Sequence, residues 1–250
     1  MSAALFSYVL GLADDTLVLG HRLSEWSGLG PTLEEDIALS NLALDLIGQA
    51  RLCYSYAGEI EGQGRDEDAL AYLRDEHAYL NLLLVEQPNG DFAATMVRHL
   101  LFAAFQAPYL EAVSVCAEPR LAEIAAKAAK EMAYHVRHAA EWVIRLADGT
   151  EESHARTRIA LEELWMYTGE MFAMDAPVRA LVAQGLAADR EKIKPAWDAS
   201  IDRILAQATL QRPQDRWMPL GGRQGRHTEH LGHLLAEMQV LHRAHPGAKW

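Results

Sequence analysis

Cysteine is almost missing from this 250-residue chain, which has only Cys53 and Cys116 and no CxxC pair. That excludes a disulfide framework and a cysteine-held metal, and it suits a reducing cytosol. Long apolar runs are missing too. No run approaches the roughly 18 apolar residues that a bilayer-spanning helix needs. The opening "MSAALFSYVLGLADD" has no basic region ahead of its apolar part and meets two aspartates early, unlike a signal peptide. A soluble, cytoplasmic protein with no membrane partner is expected. Positive charge is scarce: Lys plus Arg number 23 against 35 Asp plus Glu, a net charge of −12. Such a surface repels phosphate backbones, so no nucleic-acid partner is expected, although a local basic patch could still hold an anionic cofactor. There is no glycine-rich phosphate loop, nucleophile elbow or catalytic cysteine arrangement. No segment alternates convincingly as a strand.

What the chain does have is helical periodicity on a composition that is 50% hydrophobic. The first helix is expected from about Ala4 to Trp26, ending at "GLGP". Thr32 and Glu35 form a capping box for a second helix reaching about Ile60. After "GQGRDED" a third spans about Asp68 to Val85, and the turn "EQPNGD" ends it. A fourth runs from about Phe92 to Ala117. Pro119 suits the first turn of a fifth reaching about Leu146, and Thr150 caps a sixth ending near Phe172. Shorter helices near 176–184 and 190–208, a long loop "QRPQDRWMPLGGRQGRH" and a last helix from about Thr228 to Arg243 complete the chain.

Four long helices with a shorter one between the second and the fourth predict an all-α, ferritin-like four-helix bundle with additional C-terminal helices. One domain over 1–250 is expected, with a bundle core at about 4–172 and a helical extension at about 173–250. A plain helical array with no internal site is the competing reading.

Several polar residues fall on core-facing stripes. In the second helix Ile37, Asn41, Leu44, Gly48 and Leu52 make one stripe, with Asp45 at its edge; in the first, Asp15 lies among Leu5, Leu12, Leu19, Leu23 and Trp26. In the fifth, Met132, His135, Ala139 and Trp142 share a stripe beside Glu131, and His138 follows His135 by three. A bundle di-metal site takes a carboxylate from each of two helices and Glu-x-x-His from each of the other two. Here Asp45 is followed three residues later by Gly48, and Glu131 by Tyr134, so both histidine positions lack histidine. His135 sits one residue further, about 100° around the helix. The degenerate positions are therefore Asp15, Asp45, Gly48, Glu131, Tyr134 and His135, expected to form a hydrogen-bonded polar cluster with no metal of its own. The alternative is a metal-dependent oxidoreductase using Asp15, Asp45, Glu131 and His135.

Other constellations are weaker. "HTEHLGHLLAE" places Glu229, His233 and Glu237 on one face, within reach of zinc chemistry, beside His227 and His230; a partly exposed terminal helix is the plainer reading. His77 falls in a leucine stripe and reads as an inward-facing, hydrogen-bonded histidine. The C-terminal loop carries Arg212, Arg216, Arg223 and Arg226 around Trp217, a cationic arm on an acidic chain. Arginine and tryptophan dominate many interfaces, so Arg216, Trp217, Arg223 and Arg226 are candidate partner contacts.

Five stretches, "DDTLVLGHRLSEW", "LALDLIGQARLCYSYAGE", "LRDEHAYLNLLLVEQPNGDFA", "KEMAYHVRHAAEWVIRLADGTEES" and "HTEHLGHLLAEMQ", together resemble the C-subunit family of the bacterial phenylacetyl-CoA epoxidase, also called phenylacetate-CoA oxygenase. The likeness runs the whole chain in the same order, and "NLLLVEQPNGDFA" is its most specific part. "VRH" and "LAD" in the fourth stretch depart from the family pattern without touching the positions that matter. The resemblance implies a ferritin-like structural subunit, without cofactor or catalytic residue of its own, of a multicomponent oxygenase. Its partner A-type subunit would carry the di-iron centre, and a reductase component would bring NADPH, flavin and iron–sulfur chemistry. The resemblance also implies phenylacetate degradation, other small subunits, and proximity to phenylacetyl-CoA.

Overall fold

The structure, a computed structural model, describes residues 3–248; the two residues at each end of the expected 1–250 domain lie outside the described residues. Among the described residues ten α-helices follow one another: α1 (Ala3–Ser24), α2 (Leu33–Glu61), α3 (Glu67–Tyr72), α4 (Leu83–Glu86), α5 (Phe92–Val113), α6 (Pro119–Ala147), α7 (Glu151–Trp165), α8 (Ala176–Ala183), α9 (Lys194–Gln207) and α10 (Glu229–Ala244). The described residues contain no strand, and the expected all-α class is the class observed. Two compact units emerge. One holds the chain up to Pro88 and again from Gly221; the other holds Asn89–Leu220. Each is built on one long antiparallel helix pair, the half-bundle of a ferritin-like fold.

In the first unit that pair is α1 and α2. Gly20 lies against Ala43 and Ile47, while Asp14 bonds Tyr54, so the two helices run in opposite directions. The close approach needs glycine: a Cβ on Gly20 would sit 2.9 Å from Ile47. Thr32 caps α2 by accepting from the Glu35 N–H, and Glu34, Glu35 and Asp36 complement the helix dipole in the first turn. Gly62, at φ +67°, ends α2. Among the described helices α1 is long and apolar enough to cross a membrane by length and composition (mean hydropathy 1.4), contrary to the expectation that no run approaches that length, yet 78% of that stretch is buried inside the protein.

The third expected helix is a correction. Its span breaks into α3, a 3₁₀ turn at 76–78 and α4. The cause lies on α1, whose carboxylates take backbone donors that a continuous helix would use. Leu80 N–H donates to Asp14 at 2.7 Å, and Leu82 N–H to Asp15 at 2.7 Å. His77, on this broken stretch, is correspondingly exposed rather than turned inward; its ring is 83% accessible.

In the second unit α5 and α6 form the pair. Phe92 meets Trp142 edge-on at 5.0 Å and His99 meets His135 at 5.1 Å, which again sets the helices antiparallel. Pro119 occupies the first turn of α6, and Thr150 with Ser153 forms a capping box on α7. The expected fourth and sixth helices are shorter than read: α5 stops at Val113 after an internal Pro108, and α7 stops at Trp165 before a 3₁₀ turn at 169–172. An aromatic cluster of Trp165, Trp197 and Phe172 seats α9, where Trp197 Nε1 donates to the Leu101 carbonyl at 3.0 Å.

Candidate functional site

The buried charge of the first unit centres on the adjacent aspartates of α1. Asp14 is fully buried and accepts from Tyr54 Oη at 2.6 Å, from the Leu80 N–H, and from the Arg74 guanidinium. Burial works against the Arg74 charge, and the Asp14 carboxylate outweighs it, holding the guanidinium's pKa above its ordinary value. Arg74 also lies over the Tyr79 ring at 4.1 Å. Burial, then Asp14, pushes the Tyr54 phenol well up. Asp15, the expected buried carboxylate, is 1% exposed, bonded to Leu82 N–H and ion-paired with Arg223.

The second helix turns a different face inward from the one read in the sequence. Ile37 and Leu44 of the supposed core stripe are 53% and 65% exposed, and Asn41 is exposed. The buried side is Leu39, Leu42, Leu46, Gln49, Cys53 and Tyr56. A helix apolar nearly all round offers several equivalent stripes, and packing against Gly20 selects among them. Asp45 and Gly48 are half-buried; a Cβ on Gly48 would meet nothing within 4 Å.

In the second unit α5 and α6 bring His99, His135 and His138 into the interior, at 0%, 0% and 8% exposure. Neither ring nitrogen of His99 has a hydrogen-bond partner among the described residues. Burial, then His135, His138 and Arg98, drives its pKa well below the usual value, so the ring is neutral. Sequence reasoning missed His99. The available signal was the adjacent pair Arg98-His99, set in the largely apolar sequence of α5. Glu131 is half-buried, whereas Tyr134 is 41% exposed, its ring 5.9 Å from that of His138 and 5.4 Å from the Arg137 guanidinium.

The four carboxylate and imidazole candidates thus divide between the units, Asp15 and Asp45 in the first, Glu131 and His135 in the second. Within the described residues no group of three or more His, Cys, Asp or Glu gathers in metal-holding geometry. The donor set does not fit a di-iron group. Asp15 already carries a guanidinium, Gly48 has no donor, and Tyr134 faces outward. Glu229, His233 and Glu237 lie on the exposed side of α10.

The candidate partner residues fall into two kinds. Arg223 is an internal tie, donating to the Gly11 and Leu80 carbonyls at 2.8 and 2.7 Å as well as pairing with Asp15. Arg216, Trp217 and Arg226 are different: all three are exposed, Trp217 to 75%, and Arg226 lies beside Gly221. The loop bearing Arg216 and Trp217 is anchored on both sides. Arg212 pairs with Asp198 and Asp202 and stacks on Trp165 at 4.9 Å, Trp165 Nε1 donates to Asp215, and Met218 packs on Gly169. Burial works against the Asp198 charge, but Arg212 and Lys194 prevail and lower its pKa. A cleft of about 290 Å³, lined by Trp165, Met166, Pro213, Arg216 and Trp217 among others, opens beside this loop.

Two comparisons bear on this arrangement. The profile of a family described as phenylacetic acid catabolic protein matches residues 1–250. A curated relative from Escherichia coli (strain K12), named as the C-type subunit of 1,2-phenylacetyl-CoA epoxidase, is 46% identical over 246 residues, covering 98% of this chain and 99% of its own.

Proposed function

Because the chain belongs to the phenylacetic acid catabolic protein family, we propose that it is a non-catalytic subunit of a multicomponent di-iron monooxygenase that epoxidises the ring of phenylacetyl-CoA in aerobic phenylacetate breakdown. The observation that carries this reading is the state of the two histidine positions: Gly48 offers no ligand, and Tyr134 is 41% exposed on the outer side of α6. The di-iron centre belongs to a partner subunit of the A type, and NADPH, flavin and iron–sulfur chemistry to a reductase component. This chain works through its surface. Trp217 and Arg216 stand out from an anchored loop, a rigid presentation of two residue types that concentrate binding energy. Separately, α2 leaves Leu33, Ile37 and Leu44 exposed at 73%, 53% and 65%. Both cysteines are free thiols, which suits a cytoplasmic protein.

Co-expression with the catalytic-type subunit tests the reading. The two chains are expected to co-purify, and phenylacetyl-CoA turnover by the reassembled enzyme to require both. Trp217→Ala with Arg216→Ala keeps native circular dichroism and loses co-purification or turnover. A catalytic subunit that turns over phenylacetyl-CoA equally well without this chain refutes the proposal.

A further inference from the structure

The segment Gly221–Thr228, which leads into α10, is tied down more firmly than a connection requires. Gly225, at φ +70°, has no room for a side chain, since a Cβ would overlap the His77 carbonyl oxygen. Arg223 reaches Gly11, Leu80 and Asp15. The other end is held by one carboxylate. Glu86 on α4 is fully buried, and its Oε1 accepts from the Thr228 N–H at 2.6 Å and from the Thr228 hydroxyl at 2.8 Å. Its Oε2 faces Asn81 Nδ2 and His227 Nδ1, each at 2.8 Å. The other ring nitrogen of His227 lies 2.9 Å from the Tyr79 carbonyl oxygen.

Both atoms that face the His227 ring are acceptors only, a carboxylate oxygen and a carbonyl oxygen. A neutral imidazole has one N–H and would turn a lone pair toward one of them; the imidazolium satisfies both. Its side chain is 3% exposed, so water cannot stand in for the missing donor. The other charged groups around it are accounted for. On α1, Asp14 and Asp15 pair with Arg74 and Arg223, and Arg22 donates to the Glu86 and His230 carbonyls. His77 faces the Gly225 carbonyl from the segment after α3.

We propose that Gly221–Thr228 is a strap latched by a protonated His227, docked while the ring is charged and loosened at its α10 end when the ring gives up its proton. Burial works against the His227 charge, and the hydrogen bond and charge of Glu86 outweigh it, raising the pKa above 6.5. A raised folded-state value sets the sign: the latch contributes in full below pH 6.5 and is lost as pH climbs through the folded-state value.

Hydrogen exchange on the full chain between about pH 6 and 9 tests this. After correction for the intrinsic rise with pH, opening at the Thr228 amide is expected to grow about tenfold or more over that range, while α5 amides stay flat. His227→Gln removes the titrating group, so its strap opens to the same raised extent at every pH. A flat wild-type response at Thr228, or a His227→Gln response that still follows pH, overturns the proposal. Should His227→Gln fail to fold, the ring ¹⁵N resonances of wild type decide. Both nitrogens protonated at about pH 6 support the latch, and a single neutral tautomer there refutes it.

Discussion

Arg74→Met is the most informative single change in the first unit. It keeps most of the side-chain volume and deletes the guanidinium that pairs with Asp14, at 5% and 0% side-chain exposure. Tyr54 Oη and the Leu80 N–H remain on the carboxylate, but its countercharge is gone. Breaking a buried pair from one side costs roughly 3–5 kcal/mol, because an uncompensated charge is left inside. Asp14→Leu strands the guanidinium instead and is expected to lose a similar amount. The double variant removes both charges and leaves apolar groups in the same space, so its loss should fall well short of the sum of the singles. A favourable coupling of about 2–3 kcal/mol between the sites is expected. Urea unfolding followed by circular dichroism measures all four corners, provided the slope stays constant so that midpoints report stability. Additive losses in the double variant, or a single-site loss under about 1 kcal/mol, would show that the pair is hydrated and that the account of the broken third helix is mistaken.

Four further outcomes are expected. Gly48→Ala should stabilise the chain by about 0.5–1 kcal/mol, since its Cβ enters open space in a helix interior, whereas Gly20→Ala should destabilise it against Ile47; thermal melts separate the two. Thr150→Ala removes the side-chain half of the capping box on α7 and should lose about 1 kcal/mol in the same assay. Cys53, buried with its thiol pKa pushed up to about 12, should resist alkylation in the native state while the half-buried Cys116 reacts, as mass spectrometry after iodoacetamide would reveal. His99 is depressed below 6.5, so its contribution is present above that pH and is lost as pH falls toward the folded-state value. Stability measured downward from pH 6.5 should drop, and His99→Gln should flatten that limb.

The helix starts were legible because caps are local. Thr32, Pro119 and Thr150 mark the beginnings of α2, α6 and α7 within a residue. Asp15 was legible as a buried carboxylate because α1 is buried on nearly every face, so any stripe drawn through Asp15 lies in the core. The inward face of α2 was not, since leucine, isoleucine, alanine and tyrosine surround that helix and only its neighbour chooses among them. The break between α3 and α4 was not either. Nothing between Asp68 and Val85 signals that Leu80 and Leu82 will donate to carboxylates on a distant helix. Arg223 and His227 were hidden for the same reason. A glycine-rich, charged stretch reads as solvated loop until the acids it answers, Asp15 and Glu86, are placed beside it.

The central claim is that this chain serves an oxygenase without a redox centre of its own. Elemental analysis of the isolated chain, purified aerobically with iron supplied, tests it most directly. No stoichiometric iron is expected, because Asp15 is held by Arg223, Gly48 has no side chain to offer and Tyr134 faces outward. About two irons per chain, the loading of a working di-iron bundle, would contradict the account.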